Sequence, residues 1–96
     1  MKLFNLDNIK KEFNKAGYYK LFNQDKRLIY TGSSKRIQNR LLSCLYGRSD
    51  YATNDNKIQV RKLTVYYTVE YMTLSKAREK DRSNKAKYNI YWRWSY

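Results

Sequence analysis

The sequence contains no histidine and a single cysteine, Cys44. Without histidine, acid–base catalysis by imidazole and histidine-ligated metal sites are excluded. One cysteine cannot form an internal disulfide, and this suits a reducing, intracellular compartment. We expect any metal ion to be bound by oxygen ligands, which favours magnesium or manganese.

Acidic residues are also scarce, since 8 Asp and Glu stand against 21 Lys and Arg and the net charge is +13. Such an excess repels itself in the folded chain, so an anionic partner is expected. Nucleic acid fits this role because its phosphates are dense and their neutralisation releases counterions. A membrane surface is the competing explanation, but the sequence shows no long amphipathic helix with one basic face.

Long apolar runs are absent, so no transmembrane helix is expected. The first residues, MKLFNLDNIKKE, do not read as a signal peptide because Asn5 and Asp7 interrupt the apolar stretch. With 96 residues, the chain is expected to form one domain, residues 1–96.

The first half of the chain predicts a helix, a hairpin and a second helix. The first helix spans 3–16, with Asp7 as its cap, Ile9 and Phe13 on one face, and Gly17 at its end. A strand GYYKLFN, a turn at 24–26 and a strand at 27–31 follow. Gly32 to Ser34 predict a break in which a serine caps a helix at 35–46. The apolar face of that helix carries Ile37, Leu41, Cys44 and Leu45.

The second half predicts a loop, a strand, a polar helix and an aromatic tail. The loop spans 47–57, and alternation at 58–72 indicates a half-buried strand. The helix spans 75–84 and the tail 88–96. This order predicts an α+β fold in which helices flank a small antiparallel or mixed three-stranded sheet.

The segment from 17 to 46 resembles the first half of a GIY-YIG nuclease domain. Gly17-Tyr18-Tyr19 stands where that family has its GIY triplet, and Tyr30-Thr31-Gly32 stands where it has YIG. Tyr30 follows Tyr19 by 11 positions, and Arg40 follows Gly32 by 8, where the family's helix presents its catalytic arginine. The resemblance places the core at 17–92 and leaves 1–16 as an N-terminal helical extension.

The second half of the resemblance supplies two more site residues. Lys87-Tyr88-Asn89 matches the end of the family's Pro-x-Tyr-Asn pattern, with Ala86 in place of proline, so Asn89 is the candidate asparagine. Glu79 is the candidate for the metal-binding glutamate, and Asp81 is its substitute if the helix starts in another register.

The resemblance implies a metal-dependent endonuclease that hydrolyses phosphodiester bonds in DNA with Mg²⁺ or Mn²⁺. Its catalytic residues would be Tyr19, Tyr30, Arg40, Glu79 and Asn89, with Glu79 as the metal ligand. An arginine offers paired donors to phosphoryl oxygens, and a tyrosine can relay a proton if its pKa is lowered. Nucleic-acid contacts are expected from Lys35, Arg36 and Arg40.

Two other functions compete with this interpretation. One is a catalytically inactive, basic nucleic-acid-binding module of the same fold, which the polar last helix favours. The other is a small basic RNA-binding protein of the ribosomal type. No small-molecule cofactor is expected, and specificity would come from DNA shape, a homo-oligomer or a partner protein.

Overall fold

The computed structural model describes residues 1–46 and 62–87, with the side chains of 85–87 left aside. Its elements follow the order β1 Lys2–Leu3, α1 Leu6–Lys10, β2 Gly17–Phe22, β3 Leu28–Ser34, α2 Ile37–Tyr46, β4 Tyr66–Tyr71 and α3 Leu74–Lys87. Two predicted segments lie outside the described residues, the loop at 47–57 and the tail at 88–96. The first four residues of the strand predicted at 58–72 also lie outside them. No helix in the described ranges is long and apolar enough to cross a membrane.

The strands form one antiparallel sheet in the order β1-β4-β2-β3, which confirms the α+β prediction. The sheet has four strands where three were predicted, because β1 pairs with β4 through Lys2 opposite Tyr67 and Leu3 opposite Tyr66. Strand β4 is also shorter than predicted, and residues 62–63 are helical.

The predicted hairpin is formed by β2 and β3. Its turn is closed by the Asn23 side chain, whose Oδ1 accepts from the amides of Asp25 and Arg27 at 3.0 Å. Lys26 has a φ of 61°, the left-handed conformation that a tight turn requires. The predicted break after Thr31 is wrong, because β3 continues to Ser34 and so pairs with β2 back to Gly17.

The predicted helix at 3–16 is also wrong in extent. Asn5, rather than Asp7, caps α1 by accepting from the Asn8 amide at 2.9 Å. The helix ends early because the Phe13 amide donates to the Tyr71 hydroxyl at 2.8 Å instead of to a helical carbonyl. Phe13 is therefore 63% exposed, while Ile9 is fully buried.

Helix α2 confirms its predicted buried face and begins two residues later than expected. Ile37 and Leu41 are fully buried, together with Ile9 of α1. They pack against one face of the sheet, which presents Tyr19, Leu21 and Tyr67 among others. Ser34, one of the two serines predicted as caps, binds the backbone just before the helix begins. Its Oγ accepts a hydrogen bond from the Arg36 amide at 3.0 Å.

The first sixteen residues hold the start of α2 in place. The Ile37 amide donates to the Lys15 carbonyl at 2.9 Å, and the Asn39 amide donates to Asn14 Oδ1 at 3.1 Å. These bonds satisfy amides that have no partner inside the helix. Helix α3 covers the opposite face of the sheet and is longer than the predicted 75–84.

Candidate active site

The two tyrosines that the motif singles out lie together on the α2 face of the sheet. Tyr19 and Tyr30 are on adjacent strands, with ring centroids 6.1 Å apart and planes inclined by 25°. They are almost fully buried, at 2% and 8% exposure. The structure therefore brings the predicted pair into one cluster.

Gly32 makes this arrangement possible. It pairs with Tyr19 across the hairpin, and the tyrosine ring lies over its backbone. A Cβ at this position would lie 2.5 Å from both Cζ and the hydroxyl oxygen of Tyr19, well inside contact distance. The glycine of the second triplet thus leaves the space that the ring of the first triplet occupies.

Burial raises the pKa of Tyr19 well above its ordinary value of 10.0, and the nearby Tyr30 and Cys44 add to this effect. Arg40 acts in the opposite direction but does not compensate for burial. Tyr19 therefore stays protonated near neutral pH. Its hydroxyl can donate a hydrogen bond, and loss of its proton would require a further cation beside it.

Arg40 belongs to this cluster, as its electrostatic effect on Tyr19 shows. It lies on α2 and is partly buried. Lys35 and Arg36, the other predicted nucleic-acid contacts, precede α2 and are exposed. A cationic group that is held near buried tyrosines can stabilise a phosphoryl group more strongly than one in bulk water.

Cys44 is a cluster residue that sequence reasoning assigned only to the core. It follows Arg40 by one helical turn, is partly buried, and is close enough to Tyr19 to influence its pKa. The signal available in the sequence was this spacing of four, which places both side chains on one side of α2.

The predicted carboxylates lie on α3, across the sheet from the tyrosine cluster. Glu79 is exposed, whereas Asp81 is only 7% exposed. The Thr31 hydroxyl donates to Asp81 Oδ1 at 2.7 Å, and Asn84 Nδ2 donates to the Tyr18 hydroxyl at 2.7 Å. The pKa of Tyr18 is raised, first by burial and then by the charge of Asp81.

Each triplet therefore serves both faces of the sheet. Successive residues of a strand point to opposite sides. Tyr19 and Tyr30 face α2, while their neighbours Tyr18 and Thr31 bind α3. Because β3 is an edge strand among the described residues, the two faces meet at its free side.

A groove of about 620 Å³ lies between this edge and α3. It is lined by Ser33, Leu74, Ser75, Arg78, Asp81 and Arg82. No cluster of three or more acidic or cysteine residues that could hold a metal occurs within residues 1–46 and 62–87. Asp81 is the described carboxylate that combines burial with access to a groove, whereas Glu70 is paired with Lys80 at 2.6 Å.

A fourth carboxylate, Glu12, is buried away from both regions. Tyr67 and Tyr71 donate to its two oxygens at 2.6 and 2.7 Å, and Lys2 forms an ion pair with it. Burial tends to raise the pKa of Glu12, but these partners outweigh burial and lower it. Glu12 therefore anchors the N-terminal segment to β4. Asn89, the remaining predicted site residue, lies outside the described residues.

The fold is similar to that of a nuclease domain whose structure is known. The GIY-YIG N-terminal endonuclease domain of UvrC from Thermotoga maritima, bound to magnesium, matches with a TM-score of 0.72 and 21% identity over 90% of this chain and 91% of that one. A point mutant of the same domain, bound to its catalytic divalent cation, matches with the same TM-score at 20% identity over 90% of each chain.

No curated protein matches the chain. A family model does: the GIY-YIG catalytic domain matches residues 15–91. That range includes both triplets, Arg40, Glu79 and Asn89. The chain belongs to the GIY-YIG family of nuclease domains.

Proposed function

We propose that this chain is a metal-dependent endonuclease that hydrolyses phosphodiester bonds in DNA. The observation that carries the proposal is the nearly buried pair of Tyr19 and Tyr30, with the cation of Arg40 close enough to lower the pKa of Tyr19. Cleaving a phosphodiester requires charge stabilisation on the phosphate, an attacking water and help for the leaving oxygen. The cluster supplies donors for the first of these needs.

Arg40 is the residue to which we assign the phosphoryl oxygens. Its guanidinium offers two parallel donors, and its partial burial limits competition from water. Tyr19 is assigned a donor role because its pKa is raised. Tyr30 is the more exposed of the two tyrosines, so it is the better placed to contact an attacking water.

The donors on α3 fit a divalent cation of the magnesium type. Such an ion keeps several waters and needs only one or two protein carboxylates. Asp81 meets this need better than Glu79 because it is buried, lies at a groove and has its Oδ1 oriented by Thr31. Ligating carboxylates are typically hydrogen-bonded in this way. When bound, Mg²⁺ or Mn²⁺ would polarise the phosphate and stabilise the leaving oxygen.

Nucleic acid is the substrate that the charge favours, and the resemblance to GIY-YIG endonucleases points to DNA. The exposed Lys35 and Arg36 stand directly before the helix that carries Arg40, so they can neutralise backbone phosphates near the cleaved bond. Asn89 remains a predicted catalytic residue. The magnesium-bound UvrC domain supports the choice of cation by analogy.

Nicking of supercoiled plasmid tests this function. The wild-type chain is assayed with Mg²⁺, with Mn²⁺ and with excess chelator, beside Asp81→Asn and Glu79→Gln. We expect cleavage with either metal, none with chelator, and a loss with Asp81→Asn that greatly exceeds the loss with Glu79→Gln. If the wild type binds DNA but never cuts it, the inactive binding module is the correct interpretation. If Glu79→Gln is the inactive variant, Glu79 is the ligand as the family register predicted.

A further inference from the structure

The groove beside β3 has a polar rim that the steps above do not use. Arg78 and Arg82 are exposed residues of α3, and Ser33 and Ser75 contribute hydroxyls to the same groove. Helix positions four apart lie on the same face. Both guanidinium groups therefore belong to one side of α3, the side that borders the edge strand.

The two arginines on this side of α3 are like charges that repel one another. Like charges four positions apart destabilise a helix. Within residues 1–46 and 62–87, neither Arg78 nor Arg82 forms an ion pair, whereas Lys80 between them pairs with Glu70 of the sheet. A bound anion would relieve the repulsion between the two arginines.

The side chains at the rim of the groove are suited to bind phosphate. Two arginines present planar donor forks, which match phosphate oxygens, and serine hydroxyls add further donors. Asp81 lines the same groove but is 7% exposed and accepts a hydrogen bond from Thr31, whereas both arginines are exposed. A phosphate that reaches the rim therefore meets positive charge first.

We propose that this groove binds backbone phosphates of the DNA that flank the scissile bond, through Arg78 and Arg82 with Ser33 and Ser75. The identity of the strand rests on the proposed endonuclease function. Ser33 lies three residues beyond Tyr30 on β3, a distance of about 10 Å along a strand, or roughly three base steps of a duplex. The groove thus orients the DNA relative to the tyrosine cluster.

Salt-dependent binding tests the groove without requiring cleavage. A labelled duplex is titrated in metal-free buffer with the wild type, with R78A/R82A and with K11A/R27A, which removes two exposed positive charges elsewhere. If the wild type neutralises about five phosphates, its log–log slope lies near −4 to −5, and loss of two contacts makes it shallower by about 2. We expect that change in R78A/R82A and not in K11A/R27A. R78K/R82K should keep the slope but lose part of the affinity, because an ammonium lacks the fork.

Equal affinities and slopes for the two alanine pairs overturn the proposal, because the groove would then be only part of a diffuse charge. Melting curves of all variants ensure that a folded chain is compared in each case. The titration contains no metal, so its result does not depend on cleavage. A wild type that binds DNA but fails to nick plasmid with Mg²⁺ or Mn²⁺ refutes the proposed nuclease and leaves the result for the groove intact. In a cleaving enzyme, R78A/R82A should raise KM far more than it lowers kcat.

Discussion

The two faces of the sheet are held by different forces. On the α2 face, apolar side chains of α1 and α2 pack against Leu21 and the tyrosine rings, and Ile9, Ile37 and Leu41 are fully buried. On the α3 face, the helix docks through Thr31–Asp81 and Tyr18–Asn84, with Ala77 as its one fully buried apolar residue in the described range.

The difference shows that one hairpin can anchor two kinds of interface. Burial of apolar area is non-directional and tolerates changes of shape that keep the volume. A buried hydrogen bond is directional, and loss of one partner leaves the other unsatisfied at a cost. Substitutions on the α2 face should therefore have their main effect when they change volume or charge. Substitutions on the α3 face should have their main effect when they remove single polar atoms.

The largest expected effect is the loss of catalysis when Arg40, on the α2 face, is replaced. Arg40→Ala should reduce single-turnover cleavage of plasmid about a hundredfold or more, because one preorganised donor to the phosphate is lost. Arg36→Ala, an exposed cation before the same helix, should weaken binding without a comparable loss at saturating DNA. Arg40→Lys should recover only part of the rate. Equal behaviour of the two alanine variants would reduce Arg40 to part of the basic surface.

Overpacking the tyrosine cluster should give the next effect. Gly32→Ala places a methyl group 2.5 Å from the Tyr19 ring, so the ring or the strand must move. We expect the free energy of unfolding to fall by about 3 kcal/mol. Urea denaturation measures this change. Ser33→Ala, the neighbouring change on the opposite face, is the control, and a Gly32→Ala chain as stable as the wild type would contradict the packing described for Tyr19.

Removing one hydroxyl should disturb the α3 face by a smaller amount. Thr31→Val keeps the shape of the side chain but deprives buried Asp81 of its 2.7 Å donor. The expected loss is about 1–2 kcal/mol of unfolding free energy. Thr68 of β4 lies on the same face of the sheet as Thr31 and is only partly buried, so Thr68→Val should lower the unfolding free energy clearly less. Similar losses in the two variants would show that the Thr31 bond does not hold the helix.

The smallest effect concerns Glu12 and is a change in how stability depends on pH. Because the folded state lowers the pKa of this carboxyl below its ordinary value of 4.5, its stabilising contribution is present above that pH. The contribution is lost as pH falls through the folded pKa. Unfolding free energies measured from about pH 7 to about pH 3 should therefore fall less in Glu12→Gln, which starts from a lower stability at neutral pH. Asp25→Asn, in the exposed hairpin turn, should follow the wild type.

The comparison also explains which parts of the fold were predictable. Helix α2 was found from the spacing of Ile37 and Leu41, because apolar burial leaves a periodic trace in the sequence. The docking of α3 was not, since polar Asp81 and Asn84 occupy its inner side and their partners are strand residues far away in sequence. The polar character that favoured an inactive module is the means by which this helix attaches.

The candidate site divides in the same way. The spacing of the triplets identified Tyr19, Tyr30 and Arg40, and the structure brings these together. The position of the carboxylate was ambiguous because a shift of two residues turns a helix side chain from one side to another. Glu79 and Asp81 differ by that shift, and three structural features distinguish them: the burial of Asp81, its place in the groove and its contact with Thr31.

The region that matches the family and the region that folds as one unit begin at different residues in this chain. The family match begins at residue 15, yet Asn14 Oδ1 accepts the Asn39 amide on the helix that carries Arg40. A transplanted segment that started at the family border would carry the arginine but leave that amide to water and Ile9 out of the core. Anyone who grafts this nuclease onto another protein should therefore move the first fourteen residues with it, as part of the catalytic module.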